Sequence, residues 1–377
     1  MTCPVQDILI IGGGFSGMAA AIELRKQRLK VDLVEIDPGW RSYGAGISLG
    51  GATLRAFHTL GILDEFRKRG SCTDGMDLFT PAGEHLATMP TPRLAGPEVP
   101  GSGGIMRPAL AQILAAAARA AGTQVRLGCT FTSLTQDADG VDVRFTDGQS
   151  RRYDLVIGAD GLYSKVREAL MPDAPKPRFT HQAVWRAVLT RPPTVQRAAM
   201  WIGMPRIKVG VNPVTNDEMY MFVTEDRPTN DFIEPKLFPS LLADLLAGFP
   251  APLLQTLRAA ISEHSQIVYR PLEGLLVPQP WSRGRVVLIG DTVHATTPHL
   301  ASGACIGIED AIVLADELGK ARTLNTALDA FQLRRWERCR MVVENSSRLG
   351  ELEVSGGDKT EQQRILGASM AALQAPI

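Results

Sequence analysis

Asp7–Glu35 reads DILIIGGGFSGMAAAIELRKQRLKVDLVE and carries the signals of a strand, a tight turn, a helix and a second strand in one short segment. An apolar run leads into Gly12, Gly14 and Gly17, whose spacing is GxGxxG, and a second apolar run ends on Glu35. This order of elements, with an acidic residue after the second strand, is typical of a βαβ unit that binds a dinucleotide. The segment therefore predicts a dinucleotide-binding α/β fold.

Each of these residues has a physical role in holding a dinucleotide. Gly12 permits a tight turn, Gly14 lets the backbone approach a pyrophosphate, and Gly17 lets the helix pack closely on the sheet. The helix N-terminus offers free N–H groups and a positive dipole end, and Glu35 is suited to accept hydrogen bonds from a ribose. The alternative is an ordinary glycine-rich turn between a strand and a helix. The segment alone does not distinguish NAD from FAD.

Size and charge restrict the classes of protein. The chain has 377 residues, of which 45% are hydrophobic and 21% are charged, as in ordinary globular proteins with a sizeable core. Lysine plus arginine equals aspartate plus glutamate at 40 each, so charge predicts no nucleic-acid partner. No apolar run reaches the ~18 residues of a membrane span. The first residues, MTCPVQD, lack the features of a secretion signal.

The cysteines favour a cytoplasmic location. They are odd in number, widely spread and form no CxxC pair, which indicates reduced thiols. They are Cys3, Cys72, Cys129, Cys305 and Cys339. This pattern predicts neither a disulfide framework nor a metal site.

Between residues 36 and 176 the sequence predicts short helices and strands in turn. Arg41–Gly51 is predicted to be a glycine-rich loop close to a ligand, and helical spacing begins at Ala52 with Gly70 as its stop. Two strands are predicted in Met76–Met89 and a helix in Met106–Ala121. The remaining predictions are a β-meander, a buried strand and a helix: Val125–Leu127, Phe131–Gln136, Val141–Phe145, Asp154–Asp160 and Ser164–Leu170.

The pattern changes after a proline-rich joint at Pro172–Pro177. Phe179–Gln266 alternates like strands and then shows helical spacing, which predicts an antiparallel sheet with helices inserted into the first domain. A buried strand, Arg285–Ile289, and C-terminal helices follow. The predicted division assigns residues 1–75, 101–176 and 267–377 to a dinucleotide-binding domain, and residues 76–100 and 177–266 to a substrate domain.

Three separated stretches together resemble a known family. They are Gly12–Gly17 with Glu35, then Asp154–Arg167 (DLVIGADGLYSKVR), and then Gly290–Asp310 (GDTVHATTPHLASGACIGIED). In this order they are similar to the three fingerprints of the single-component FAD-dependent aromatic hydroxylases, the para-hydroxybenzoate hydroxylase group. The resemblance implies a Rossmann-like FAD-binding domain with an inserted antiparallel sheet.

The resemblance also implies a role for each matched residue. Gly12–Gly17 would hold the FAD pyrophosphate, Glu35 the adenosine ribose, and Asp291 a ribityl hydroxyl. Backbone N–H groups of Ala301–Cys305, at a helix N-terminus, would face the flavin edge that becomes negative on reduction. The implied FAD contacts in full are Gly12, Gly14, Phe15, Ser16, Gly17, Glu35, Ser48, Arg107, Asp160, Asp291, Ala301, Ser302, Gly303, Ala304 and Cys305.

Several of these residues have a plainer alternative. Asp160 before a glycine is also a common turn residue, and Arg107 is also compatible with a solvated helix end. A lone histidine at His294 fits a structural role better than an acid–base role. Cys305 fits a small buried residue better than a nucleophile.

The loop after Pro298 departs from the family pattern. The family commonly has PxxGQGxN, whereas this chain has PHLASGAC, with Ala301 and Ser302 in place of the glycine and the glutamine. Backbone donors survive that change, so FAD binding is still expected. Side-chain contacts near the ring differ, which leaves the type of substrate open.

The activity that the resemblance implies is an NAD(P)H-dependent monooxygenase with non-covalent FAD. Reduced flavin and O2 would give a C4a-hydroperoxide that hydroxylates a small aromatic or N-heteroaromatic compound. A second GxGxxG is absent from the sequence, so NAD(P)H is expected to bind transiently. The expected partners are therefore substrate, O2 and NAD(P)H, with no nucleic acid, and a monomer or homodimer is expected.

The substrate cavity is predicted between the Pro298 region and the inserted sheet. Strand alternation places Trp185 and Arg186 on opposite faces. Arg186 and Tyr220 are the candidates for anchoring an anionic or phenolic group. A solvated arginine and a core tyrosine are the alternative.

Other functions stay open at this point. An epoxidase or a halogenase would share the flavin fold, although the WxWxIP stretch of halogenases is absent from the sequence. A flavin-binding redox regulator without turnover would share the FAD contacts. A plain NAD-dependent dehydrogenase would need only the first segment, and the stretches at Asp160 and Asp291 argue against it.

Overall fold

The fold is known from a computed structural model, which describes residues 5–42 and 44–377. Cys3 and position 43 of the predicted Arg41–Gly51 loop lie outside the described residues. The strands of the described chain, β1 to β19, are Asp7–Ile11, Lys30–Glu35, Gly46–Gly50, Ser71–Thr73, Met76–Phe79, His85–Met89, Ser102–Met106, Gln124–Leu127, Phe131–Gln136, Val141–Phe145, Ser150–Tyr153, Leu155–Gly158, Arg178–Thr190, Ala198–Trp201, Ile207–Pro213, Glu218–Asp226, Ile267–Gly274, Ser282–Arg283 and Val286–Leu288. The helices, α1 to α11, are Phe15–Lys26, Gly51–Leu60, Leu63–Arg69, Arg107–Ala120, Lys165–Leu170, Phe238–Ala247, Pro252–Ala259, Asp291–His294, Gly303–Lys320, Leu324–Ser355 and Lys359–Gln374.

A six-stranded sheet in the order β18-β19-β12-β1-β2-β8 carries the predicted dinucleotide-binding fold. All its pairs are parallel except β18 with β19, as expected for strands joined by helical crossovers. The buried apolar runs of β1 and β12 pair directly, with Ile11 opposite Gly158. The Rossmann-like α/β prediction is confirmed.

A second sheet, in the order β17-β13-β16-β15-β14-β5-β6, forms the inserted layer. Its pairs are antiparallel except β14 with β5, so the predicted antiparallel insertion is confirmed. One face of this sheet packs against α6 and α7 in a separate apolar core. β17 joins the sheet beyond the predicted boundary at residue 266, and the division into two domains stays a prediction.

Three local predictions need correction. The end of the predicted Arg41–Gly51 loop is β3, which pairs with the glycine-rich β7. Neither segment has the alternating pattern from which a strand would be predicted. Val125–Leu127 belongs to β8 and pairs with β2, so the meander consists of β9, β10 and the unpredicted β11. The helix from Ala52 breaks at Gly61, whose φ of +80° ends α2, and α3 then stops at Gly70 as predicted.

The C-terminal helices pack on the helices of the first domain and reach the second sheet. α9 packs against α1 and α10, and α10 also contacts β13. The predicted C-terminal helices are confirmed by α9, α10 and α11. Within the described residues, no helix has the length and apolar character needed to cross a membrane.

Candidate functional site

The three predicted fingerprints meet at one edge of the six-stranded sheet. β1, β12 and β19 are neighbours, so their carboxyl ends lead side by side into Gly12, Ala159 and Ile289. Ala159 N–H donates to Ile11 O at 2.8 Å, and Ile289 N–H donates to Gly158 O at 3.0 Å. In open α/β sheets this edge is where ligands bind.

The glycines of the first turn differ in whether the fold itself has room for a side chain at their positions. Gly12 has φ +108°, and a Cβ there would lie 2.4 Å from the carbonyl oxygen of Ala159. A Cβ on Gly17 would lie 2.0 Å from the Gly12 oxygen, so the turn and helix α1 need both glycines. A Cβ on Gly14 would meet only one atom, at 4.0 Å. Gly14 therefore leaves open space at the start of α1, where the sequence predicts the pyrophosphate.

Glu35 lies beside this turn. Its Oε2 accepts from Gly13 N–H at 2.7 Å, and its Oε1 accepts from Asp37 N–H at 2.8 Å. The indole N–H of Trp40 donates to Gly13 O at 2.8 Å. Glu35 thus supports the turn with the carboxylate that is predicted to hold the ribose. Trp40 was missed, because nothing in the loop sequence pairs it with Gly13.

Phe15 and Ser16 follow the second glycine on α1. The Arg107 guanidinium stacks over the Phe15 ring, 5.3 Å from its centroid. Ser16 Oγ packs between two glycines: a Cβ on Gly290 or on Gly307 would lie 2.3 or 2.4 Å from it. Ser16 therefore joins helices α1 and α9 and the Gly290 turn, a packing contact that the sequence did not indicate.

Asp160 has a structural use in the described residues. Its Oδ1 accepts from Ser164 Oγ at 2.5 Å, and its Oδ2 accepts from the N–H groups of Lys165 and Val166 at 2.8 and 3.1 Å. These bonds cap the start of α5. The turn interpretation accounts for all its contacts, so a direct contact of the Asp160 side chain with a cofactor stays a prediction.

Asp291 and Arg107 differ from these residues, because no described residue bonds or ion-pairs with their side chains. Asp291 is exposed, yet desolvation by the surrounding protein raises the pKa of its carboxyl, while the charges of His294 and Arg107 act in the opposite direction. Burial lowers the pKa of the Arg107 guanidinium, and Asp291 partly compensates. Two opposite charges thus lie near each other with free hydrogen-bonding atoms.

The loop Pro298–Leu300 forms one 3-10 turn before α9. Ala301 takes the left-handed conformation with φ +49°, and buried Ser302 precedes the first helical residue, Gly303. No side chain caps α9, so its first N–H groups are free for a ligand. Cys305 is buried with its thiol toward Glu309, as the structural alternative predicted. Cofactor contacts in this loop are therefore predicted through backbone N–H groups.

A buried ionic network lies beneath Asp291. Asp310 on α9 accepts from Gly290 N–H at 2.9 Å, contacts His294 Nε2 at 2.5 Å, and accepts from Arg335 Nε at 2.8 Å. Arg335 also lies 3.1 Å from Glu309, which is paired with Arg338 at 2.7 Å. The network joins the turn that carries Asp291 to α9 and α10.

The charges in this network stabilise one another. Burial alone would raise the pKa of Asp310, but the charges of His294 and Arg335 lower it to about 2. Burial opposes protonation of His294, yet Asp310 raises the pKa of His294 well above its usual value. His294, Asp310 and Cys339 also have their ligand atoms within 4.8 Å of one another, as in metal sites, but the Arg335 guanidinium already supplies the positive charge there.

A second histidine, which sequence reasoning missed, links the Pro298 loop to the inserted sheet. His299 Nδ1 lies 2.9 Å from Thr297 Oγ1, and its Nε2 lies 3.3 Å from Glu353 Oε2 on α10. Lys208 on β15 pairs with the other oxygen of Glu353 at 2.6 Å. Burial lowers the pKa of His299, against the effect of Glu353. The only signal for this site was the position of His299 next to Pro298.

Tyr220 and Ser48 connect the inserted sheet to β3. The hydroxyls of Tyr220 and Ser48 are hydrogen-bonded, and Asn212 Nδ2 donates to Ser48 Oγ at 2.8 Å. Tyr220 is buried with a raised pKa due to desolvation, which the Ser48 bond partly offsets. The structure thus brings together two residues predicted separately, one for the substrate and one for the flavin.

Arg186 lies on the same face of the sheet as Tyr220. It pairs with Phe222 in the β13–β16 register, while Val188 pairs with Tyr220, and such partners share a face. Burial lowers the pKa of Arg186, with a compensating effect of Tyr220 and a further lowering by Arg107. No carboxylate in the described part of the chain pairs with Arg186. Trp185 faces the opposite side, as the alternation predicted.

Comparison with known proteins places the chain in a family. A family model described as "FAD binding domain" matches residues 5–346. Aurachin C monooxygenase/isomerase of Stigmatella aurantiaca is 31% identical over 352 residues, which cover 92% of this chain and 89% of that protein. 6-Hydroxynicotinate 3-monooxygenase of Bordetella bronchiseptica is 32% identical, with 81% of each chain covered.

A solved structure shares the whole architecture. A variant of HpxO from Klebsiella pneumoniae, crystallised in complex with FAD, superposes with a TM-score of 0.83 at 25% identity. The match covers 98% of this chain and 94% of that chain. The similarity therefore includes both sheets and the C-terminal helices.

Proposed function

Because the chain belongs to this family of FAD-dependent monooxygenases, we propose that it hydroxylates a small aromatic or N-heteroaromatic compound, using O2 and electrons from NAD(P)H. The observation that carries the proposal is the Arg186 guanidinium, which has no carboxylate partner in the described chain. It lies on the same sheet face as Tyr220, whose hydroxyl is hydrogen-bonded to Ser48. A monomer or homodimer and a cytoplasmic location stay predictions.

The FAD site fits the residues present. Gly14 leaves room for a pyrophosphate at the start of α1, and Asp291 offers an unpaired carboxylate suited to a ribityl hydroxyl. The free N–H groups at the start of α9 suit the flavin edge that gains negative charge on reduction. Bound FAD supplies the activation of O2, which side chains alone do not provide.

The protein itself would orient the substrate and exclude water from it. Ser48 and Asn212 hold the Tyr220 region of the inserted sheet against β3. His299, Glu353 and Lys208 hold the same sheet to the loop that follows Pro298. These two sets of contacts would close the cavity from two sides around Arg186, so that an aromatic ring is oriented without access of bulk water.

The substrate is expected to carry an anionic or phenolic group. Arg186 is half-buried, and a guanidinium that loses part of its hydration without a carboxylate partner is favoured by a ligand with a negative charge or strong acceptors. Tyr220 adds a hydroxyl on the same face, which suits a ring oxygen or nitrogen. The substrate in the name of the Bordetella relative, 6-hydroxynicotinate, is an N-heteroaromatic acid of this kind.

The test is a substrate screen on the purified flavoprotein. Aromatic and N-heteroaromatic acids would be added under O2, while NAD(P)H oxidation is followed optically and products by mass spectrometry. We expect flavin absorption bands, stimulated oxidation and a product heavier by one oxygen atom. Stimulated oxidation that yields only hydrogen peroxide would reject the compound as a substrate. Failure to bind FAD after reconstitution would contradict the proposal itself.

A further inference from the structure

A cavity of about 330 Å³ lies on the other side of the inserted sheet, away from Arg186 and Tyr220. Its floor is formed by β13 and β16, through Trp185 and Glu225, and its wall by Leu241 and Leu245 of α6. Cavities that bind small ligands begin at about 300 Å³, so this one suits a molecule of one or two rings. Neither the FAD site nor the proposed hydroxylation uses it.

The cavity is apolar except for a few polar groups with unused capacity. Glu225 is buried, and its Oε1 accepts from the Trp185 indole N–H at 2.8 Å. No described residue donates a hydrogen bond to its other oxygen, Oε2. Arg227 lies 3.8 Å from Glu225 Oε1, and its Nε is buried with no hydrogen-bond partner within residues 5–42 and 44–377. Arg227 also lies over the Tyr269 ring, 5.9 Å from its centroid. Glu225 Oε2 and the Arg227 guanidinium therefore keep hydrogen-bonding capacity at this cavity.

The polar groups select the chemistry of a ligand. An anion would be repelled by Glu225 and by Asp244 on the cavity lining, and an ammonium group would offer Arg227 no acceptor. A cyclic amide offers a carbonyl to Arg227 and an adjacent N–H to Glu225, with flat apolar faces for Leu241 and Leu245. We propose that this cavity is a binding site for a neutral, planar cyclic amide, such as a pyridone-type ring.

The position of the cavity connects it to the opposite face. Trp185 directly precedes Arg186 on β13, and Glu225 directly follows Thr224 on β16. The two faces of these strands share one backbone, and neighbouring side chains point to opposite sides of the sheet. A ligand in the cavity would therefore lie behind the strand that carries Arg186, and its binding does not depend on turnover.

Calorimetric titration of the FAD-loaded protein with 2-pyridone tests the proposal, with N-methyl-2-pyridone as the probe that lacks the N–H. The test variants are Arg227→Met, which removes the guanidinium that lines the cavity, and Gly248→Leu, which fills the cavity from a helix-compatible backbone position. The matched control is Arg186→Met on the opposite face. Flavin absorbance and melting temperature of each variant check that it is folded.

We expect 2-pyridone to bind the wild type and the Arg186→Met protein equally. Arg227→Met, Gly248→Leu and the N-methyl probe should each weaken binding about tenfold or more, because a buried polar group loses its partner or the space is filled. Crystals soaked in 2-pyridone should show it between β16 and α6. Binding that Arg186→Met abolishes and Arg227→Met leaves intact would overturn the proposal, as would no binding by the wild type. Neither result would bear on turnover.

Discussion

Two groups of charged side chains in the described chain differ in one respect. Asp310, His294 and Arg335 are buried and bonded to one another, whereas Asp291 and Arg186 have no bonded or ion-paired partner in the described chain. A buried charge costs several kcal/mol unless it is paired. The paired group therefore supports the fold, and the unpaired group indicates where ligands complete the site.

The largest expected effect is in the paired group. Asp310→Ala removes the acceptor shared by Gly290, His294 and Arg335. Buried His294 then has no carboxylate, and buried Arg335 keeps only Glu309. We expect the free energy of unfolding to fall by about 3–5 kcal/mol. Urea denaturation of the FAD-free protein measures it. A loss below about 1 kcal/mol would show that the network does not stabilise the fold.

The matching change in the unpaired group should affect function instead. Arg186→Met removes a guanidinium that no described carboxylate neutralises, so stability should be equal or higher. Substrate affinity should fall by about 1.5–3 kcal/mol, the value of a hydrogen bond to a charged group. The measurements are KM and the FAD content of the purified variant. Unchanged KM with full FAD content would remove Arg186 from the substrate site.

The glycines offer the same comparison at the backbone. Gly17→Ala would place a Cβ 2.0 Å from the Gly12 oxygen and should destabilise the FAD-free protein by about 1–3 kcal/mol. Gly14→Ala meets no protein atom closer than 4.0 Å and should leave that stability within about 0.5 kcal/mol. Gly14→Ala should instead weaken FAD binding by at least about tenfold. Equal destabilisation by both changes would contradict the different roles of the two glycines.

The two buried histidines should give pH effects of opposite sign. The pKa of His294 is raised in the folded protein. Protonated His294 therefore stabilises the fold fully below about pH 6.5, and this stabilisation is lost as the pH rises through the pKa of the folded protein. The pKa of His299 is lowered, so the protein loses stability as the pH falls below about 6.5. For each histidine, the free energy of unfolding should change by at most about 1.4 kcal/mol per pH unit.

Unfolding curves of His294→Gln and His299→Gln between pH 5 and 9 separate the two contributions. The first substitution should flatten the alkaline side of the stability profile, and the second should flatten the acid side. Flattening on the wrong side in either variant would contradict the assigned direction of that pKa.

The sequence predicted the parts of the molecule that depend on local order. Gly12–Gly17 with Glu35, the stretches at Asp160 and Asp291, and the alternation that separates Trp185 from Arg186 all depend on short spacing. Within these limits the α/β fold, the inserted sheet and the FAD-binding family were predictable. The helix break at Gly61 was also local, but helical spacing on both sides concealed it.

Long-range partners were beyond that reasoning. Asp310 pairs with Arg335, and Lys208 with Glu353, across separate elements, and no local pattern says which charges meet. Glu309 and Asp310 lie on an apolar helix face, which indicates buried acids. Buried acids require cationic partners, but the sequence does not say which arginines supply them. The contact of Ser48 with Tyr220 joins residues 172 positions apart and had no such signal.

Asp291 provides the most direct test of the central claim, because it begins the short helix that is tied to the paired network. FAD affinity and the free energy of unfolding of the FAD-free protein would both be measured for Asp291→Ala. We predict FAD binding weaker by about tenfold or more, from the loss of a charged hydrogen bond, and a free energy of unfolding within about 1 kcal/mol of the wild type. Wild-type FAD affinity combined with a large loss of stability would contradict the claim that unpaired charges mark the ligand site.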